Sequence, residues 1–150
     1  MKRAALIFAA PLLFACTKKD EAPVADTSAV VAAEPSAPSI AGSWAFNVMP
    51  ADRDTVISTY TLVTTNDQNG WTLTFPGREP IPVRVVSMSN DSIVTDTGPF
   101  ESSVYKGVKT NLVHTNLHWE GDRLVGMGIA HYDRKTADSV VNLRQEGTRK

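Results

Sequence analysis

The sequence has few cysteines, little excess of charge of either sign and no long apolar run. One cysteine among 150 residues excludes an internal disulfide and every metal or redox motif that needs several cysteines. Fifteen basic residues stand against sixteen acidic ones, so the chain lacks the basic footprint of a sequence-independent nucleic-acid binder, and no nucleic-acid partner is expected. The apolar stretch at residues 4–15 is shorter than the roughly 20 residues of a membrane-spanning helix.

The amino-terminal segment has the layout of a secretory signal. Lys2 and Arg3 precede the apolar stretch, and Cys16 follows a small residue. The run Leu13-Phe14-Ala15-Cys16 resembles the bacterial lipobox, in which the cysteine is lipidated and becomes the first mature residue. The resemblance implies that Cys16 attaches the chain to a lipid bilayer in a bacterial cell envelope. The alternative is an ordinary signal peptide in which Cys16 has no special role.

The residues after Cys16 predict where the protein goes and how it is held there. Thr17, rather than an aspartate, follows the cysteine, and by the same resemblance this implies the outer membrane, facing the periplasm. Up to residue 39 the chain is rich in Ala, Pro and Ser and has no aromatic residue, which is typical of a disordered tether. We therefore expect a signal peptide at 1–15, a lipidated cysteine and tether at 16–39, and a folded domain at 40–150.

The folded domain shows the period of two that marks β-strands. Trp71, Leu73 and Phe75 alternate with threonines, and similar alternation recurs at 113–119 and 125–129. No stretch of ten or more residues carries a convincing helical stripe. The pattern predicts an all-β domain of eight strands at about 42–49, 55–65, 70–76, 81–88, 91–97, 110–120, 123–133 and 139–149.

The connections between these strands predict their arrangement. Asn69-Gly70, Asn90-Asp91 and Gly121-Asp122 are pairs that suit tight hairpin turns. The connections at 49–54, 76–80, 98–109 and 133–138 are longer. Because the two kinds alternate, an up-and-down meander would place all tight turns at one end, as in an antiparallel eight-stranded barrel with one closed end and one open mouth. A two-sheet Greek-key sandwich is the structural alternative.

Gly42-Ser43-Trp44 resembles the G-x-W signature of lipocalins and their relatives, eight-stranded barrels that mostly bind small apolar molecules. In that family an arginine late on the last strand packs across the tryptophan ring. In a closed barrel the end of the last strand lies beside Trp44, and Arg149 is at that end. Arg144 has the opposite parity and lies about 17 Å further along the strand at ~3.3 Å per residue. We therefore expect Trp44 and Arg149 to form the pair that closes the barrel.

Eight strands leave room only for side chains or one small ligand, and several bulky side chains are candidates to fill the interior. These are Trp44, Phe46, Trp71, Phe75 and Trp119. The connection at 98–109 is long for a hairpin and is the best candidate for a site. Its residues Phe100 and Tyr105 either form part of a lid that contacts an apolar ligand or simply plug the barrel.

No pattern for catalysis, a metal or a cofactor stands out. His114 and His118 are about 13 Å apart by strand rise, too far to chelate one ion together, and His131 belongs to another strand. Asp91 and Asp96 suit turn and surface positions better than a glycosidase pair. We expect a protein that is not an enzyme and binds a small apolar molecule. The alternative is an interaction module for an envelope protein, such as an enzyme inhibitor or scaffold.

Overall fold

The computed structural model describes residues 39–150, so the predicted signal peptide, Cys16 and most of the predicted tether lie outside the described residues. Nine β-strands make up almost all of the regular structure. They are β1 (Gly42–Pro50), β2 (Ser58–Thr64), β3 (Thr72–Thr74), β4 (Ile81–Met88), β5 (Ser92–Thr97), β6 (Phe100–Glu101), β7 (Lys109–Glu120), β8 (Arg123–Tyr132) and β9 (Val140–Arg149). A short 3₁₀ turn at Ala137–Ser139 precedes β9. Among residues 39–150 no helix is long and apolar enough to cross a membrane.

Eight of these strands close into an antiparallel barrel, as the sequence predicts. Neighbouring strands follow the order β5-β4-β3-β2-β1-β9-β8-β7, and β5 pairs with β7 to close the ring. Each of these eight strands therefore pairs with the next one along the chain, and β9 also pairs with β1. This arrangement excludes the Greek-key alternative. The ninth strand, β6, has two residues and pairs only with the start of β7.

The strand bounds differ from the predicted ones in three places. β3 is reduced to three residues, so Trp71 and Phe75 flank the strand instead of belonging to it. β2 begins at Ser58, three residues later than expected. The segment at 98–109 is not wholly a loop, because Phe100 and Glu101 pair with Thr110 and Lys109.

The interior face of β8 is the opposite of the one that hydropathy suggests. Met127 and Ile129 are 49% and 40% exposed on the outside of the barrel, whereas Gly126 and Gly128 face inward. The glycines are needed because the interior is tight at this strand. A Cβ at Gly126 would lie 2.0 Å from the Asn116 carbonyl oxygen of β7. On β8 the narrow interior therefore requires inward-facing glycines, and the larger apolar side chains of Met127 and Ile129 lie on the outer face.

The core fills the barrel from the end with the tight turns. Trp44 is fully buried and contacts Trp119 edge to face at 5.5 Å, and its indole Nε1 donates to the Ile40 carbonyl. Trp71 is also buried, and its indole nitrogen donates to the Asp67 carbonyl in the turn before it. Both buried indole N–H groups are thus satisfied by backbone near the tight turns. The barrel end where β1 begins is closed by tryptophan side chains.

Candidate functional site

The first and last strands meet at Trp44 and Arg149, which are directly opposite in the β1–β9 pairing. The Arg149 guanidinium carbon lies 4.4 Å from the centre of a Trp44 ring, within the range of a cation–π contact. The guanidinium also donates to the carbonyls of Ala41, at 2.8 Å, and Ser39. Gly42 has a φ of 144°, and a Cβ there would lie 2.7 Å from the Arg149 Nη1 atom. Glycine at position 42 therefore leaves the space that the arginine occupies.

An internal cavity lies towards the opposite end of the barrel, beneath the segment of residues 98–108, which we call the cover loop. The cavity has a volume of about 50 Å³. Its lining consists of Val48, Ser58, Tyr60, Leu62, Leu73, Phe75, Val83, Thr95, Thr97, Phe100, Ser103, Val104, Thr110, Val113, Thr115, Leu117, Tyr132, Leu143 and Gln145. The interior is therefore mostly filled but retains space for a small molecule.

A chain of buried polar side chains crosses the cavity. The Tyr60 hydroxyl donates to Gln145 Oε1 at 2.5 Å, and Gln145 Nε2 donates to the Thr115 hydroxyl oxygen at 3.0 Å. Gly128 makes room for this chain, since a Cβ there would lie 2.4 Å from Gln145 Nε2. Burial raises the pKa of Tyr60 above its ordinary value, because the ionised form would lose its hydration inside the barrel.

Hydrogen bonds from two neighbouring segments hold the cover loop. The Arg78 guanidinium, from the connection between β3 and β4, donates to the Glu101 and Ser102 carbonyls at 2.6 and 3.1 Å. The Ser58 hydroxyl, at the start of β2, donates to the Ser103 hydroxyl at 2.8 Å. Within the loop, the buried Ser102 side chain accepts hydrogen bonds from the backbone N–H groups of residues 104 and 105. The loop therefore has a defined conformation over the cavity.

The two aromatic residues predicted in this loop occupy different surroundings. Phe100 lines the cavity and contacts Phe75 at a centroid distance of 5.5 Å. Tyr105 instead packs edge to face on Tyr132 at 5.0 Å, beneath the Arg134 guanidinium at 4.2 Å. Tyr105 is not among the cavity-lining residues. Of the two, only Phe100 is placed to touch a molecule in the cavity.

The histidines and acidic residues singled out in the sequence lie away from this cavity. His114, His118 and His131 are all exposed on the outer face of the barrel, and Asp91 is exposed in a turn. Asp96, on the outside of β5, contacts His114 Nδ1 at 2.7 Å and pairs with Arg84. Burial opposes its ionisation, but the hydrogen bonds with these two residues outweigh that effect and lower the pKa of the carboxyl. Asp96 therefore has a structural role between neighbouring strands.

Metal ligation finds no support in the part of the chain that the structure describes, where no three His, Cys, Asp or Glu side chains cluster. Sequence reasoning missed Gln145 and the threonines of β5 and β7 as cavity residues. Their signal was the strand parity that they share with apolar neighbours such as Ile93 and Leu143.

Fold and cavity together define a small, closed, all-β barrel with an internal cavity and a structured cover over one end. Comparison with known proteins does not narrow this class. No protein-family model, curated protein sequence or solved structure matches the chain.

Proposed function

We propose that the barrel binds a small apolar molecule in the cavity beneath the cover loop. The supporting observation is the cavity itself, which lies between an apolar wall and hydroxyl groups within an otherwise filled core. Concave, mostly apolar sites with a few convergent polar groups are typical of small-molecule binding. Phe100 belongs to both the cover and the lining, so the cover loop is the natural route of entry.

Mass spectrometry of the intact protein under native conditions tests this proposal. The full chain is purified from its host in lipid nanodiscs. The protein is then released from the nanodiscs in the mass spectrometer, and the mass of any small molecule that stays bound to it is measured. Thr97→Phe places a ring in the cavity, and Val94→Phe places the same ring on the outer face of the same strand. We expect a bound molecule in the wild type and in Val94→Phe but not in Thr97→Phe. A wild-type protein without a bound molecule, or a molecule retained by Thr97→Phe, contradicts the proposal.

We also propose that the protein is lipidated at Cys16 and held at the bacterial outer membrane, facing the periplasm. Support comes from the lipobox-like sequence Leu13-Phe14-Ala15-Cys16 and from Thr17 after it. Incorporation of a radiolabelled fatty acid into the wild type and its loss in Cys16→Ser is the expected result, and an unlabelled wild type refutes it.

The proposal includes no catalytic role. The two serines at the edge of the cavity, Ser58 and Ser103, hydrogen-bond to each other and not to a general base. Binding of an envelope protein remains the second candidate, supported by the exposed side chains of Met127 and Ile129 on β8. Crosslinking from these two positions in cells would favour that candidate if it captured one defined envelope protein, whereas lipid or no adduct would favour the ligand-binding role.

A further inference from the structure

The cavity has two walls of different chemistry. Strands β5 and β7 supply four buried threonines, Thr95, Thr97, Thr110 and Thr115. Thr95 and Thr115 are directly opposite each other in the pairing of these strands, so their hydroxyls form one surface. The opposite wall is mainly apolar and consists of Leu62, Leu73, Phe75 and Val83, with the hydroxyls of Ser58 and Tyr60 on β2 beside them. A ligand in this space therefore meets threonine hydroxyls on one side and mainly hydrocarbon on the other.

Part of the hydroxyl wall is not bonded to other side chains in the described part of the chain. Gln145 and Tyr60 already satisfy each other, and Gln145 also binds Thr115. The buried side chains of Thr95, Thr97 and Thr110 line the cavity. Each threonine hydroxyl can both donate and accept a hydrogen bond. A ligand that brings a polar atom to this wall therefore meets groups that can bind it.

No charged side chain lines the cavity among the residues that the structure describes. A buried carboxylate or ammonium group needs an opposite charge or several strong hydrogen bonds to offset its lost hydration. Neutral hydroxyl and amide groups alone do not provide that compensation. The lining therefore discriminates against ionised ligands, including free fatty acids with their carboxylate inside the barrel.

We propose that the ligand is an uncharged molecule with an apolar body and one hydrogen-bonding group, such as an amide, alcohol or carbonyl. Its polar group is held by Thr95, Thr97 and Thr110, and its apolar part packs against Leu62, Leu73 and Phe75. The closed cavity, about 50 Å³, is smaller than the ~150 Å³ that holds benzene, so a ligand of that size requires displacement of the cover loop. This inference rests on the proposed ligand-binding function and adds the charge and polarity of the ligand to it.

Benzamide and benzoate test the charge requirement, because they have the same shape and the same number of non-hydrogen atoms but differ in charge at pH 7. Binding to the full chain in nanodiscs of uncharged lipid is measured by ligand-observed NMR, with empty nanodiscs as the background. We expect a Kd of about 1 mM or tighter for benzamide. Benzoate should bind at least about a hundredfold more weakly.

Isosteric variants of the hydroxyl wall test the position of the polar group. Thr95→Val and Thr97→Val remove a hydroxyl with little change of shape, and Thr59→Val, on the exposed face of β2, is the matched control. Each cavity variant should weaken benzamide binding between about twofold and about tenfold, and the control should not. A urea unfolding midpoint for every variant shows whether it is folded.

The outcomes separate this inference from the proposed function. Equal binding of benzoate and benzamide overturns the charge requirement but leaves a ligand-binding barrel. Unchanged benzamide binding in both folded cavity variants overturns the role of the hydroxyl wall. Failure of both probes to bind the wild type overturns the proposed ligand class, whereas a wild type that carries no bound molecule in the native mass spectrum overturns the proposed function itself.

Discussion

Replacing Gly147 by alanine provides a direct test of how the barrel interior is packed. Gly147 lies opposite Phe46 in the β1–β9 pairing, and the Phe46 ring covers it. A methyl group at position 147 would lie 2.4, 2.6 and 2.7 Å from three carbons of that ring. Ordinary carbon contacts begin near 3.4 Å, so the overlap is about 1 Å. The ring cannot simply withdraw, because it is stacked on Tyr60 at 4.9 Å with an interplanar angle of 7°.

Two effects of opposite sign set the magnitude for Gly147→Ala. The backbone at Gly147 is accessible to alanine, so the reduced freedom of the unfolded chain would stabilise the variant by about 0.4–1 kcal/mol. Overpacking of a filled core costs about 1–3 kcal/mol. Because the overlap involves a ring that Tyr60 holds in place, we expect overpacking to prevail, with a net loss of about 0.5–2.5 kcal/mol. For a domain of this size the corresponding drop in Tm is roughly 3–15 °C.

A double-mutant cycle with Phe46→Leu identifies the cause of that loss. Leucine removes the ring carbons that collide with the new methyl group, so Gly147→Ala should cost little, or stabilise slightly, in the Phe46→Leu background. Unfolding by urea, followed by circular dichroism, gives the four free energies. We expect a coupling of about 1 kcal/mol or more between the two positions. Losses that add within about 0.5 kcal/mol would show that the collision with Phe46 is not the reason.

Three further predictions concern the closing pair, the buried tyrosine and the cover loop. Arg149→Met should lower the free energy of unfolding by about 1–2 kcal/mol through loss of the Trp44 contact and the carbonyl hydrogen bonds, and wild-type stability would refute this. Burial raises the pKa of Tyr60, so above pH 10 the unfolded chain ionises first and stability falls by up to about 1.4 kcal/mol per pH unit. Urea titrations at pH 9 and pH 11 should show a smaller fall for Tyr60→Phe, and equal falls would contradict the assignment. Phe100→Ala should change benzamide binding, whereas Tyr105→Ala should lower Tm and leave binding unchanged.

The fold was predictable because its signals are local. Period-two alternation marks the strands, and Asn69-Gly70 and Gly121-Asp122 coincide with connections between consecutive strands. The face of β8 was not predictable from hydropathy, since Met127 and Ile129 are apolar and exposed while inward space admits only Gly126. That choice depends on how closely β7 approaches, which is a property of the closed barrel.

The site was predictable only in outline. A long connection at 98–109 indicated where a cover could lie, and Phe100 is indeed one of the residues that line the cavity. Gln145 and Thr97 were missed because threonine and glutamine on a strand are equally compatible with an outer face. The only signal for their inward direction is the strand parity that they share with the apolar residues Ile93 and Leu143.

The contact between Arg149 and the start of β1 also bears on biosynthesis. The guanidinium and the Ala41 carbonyl to which it donates are 108 residues apart in the chain. Arg149 ends β9, so β1 has no partner along one edge, and Trp44 lacks its arginine, until the whole of β9 has been synthesised. The barrel therefore cannot close progressively as it emerges from the ribosome. Its final seam forms only when the last residues of β9 are available to pair with β1.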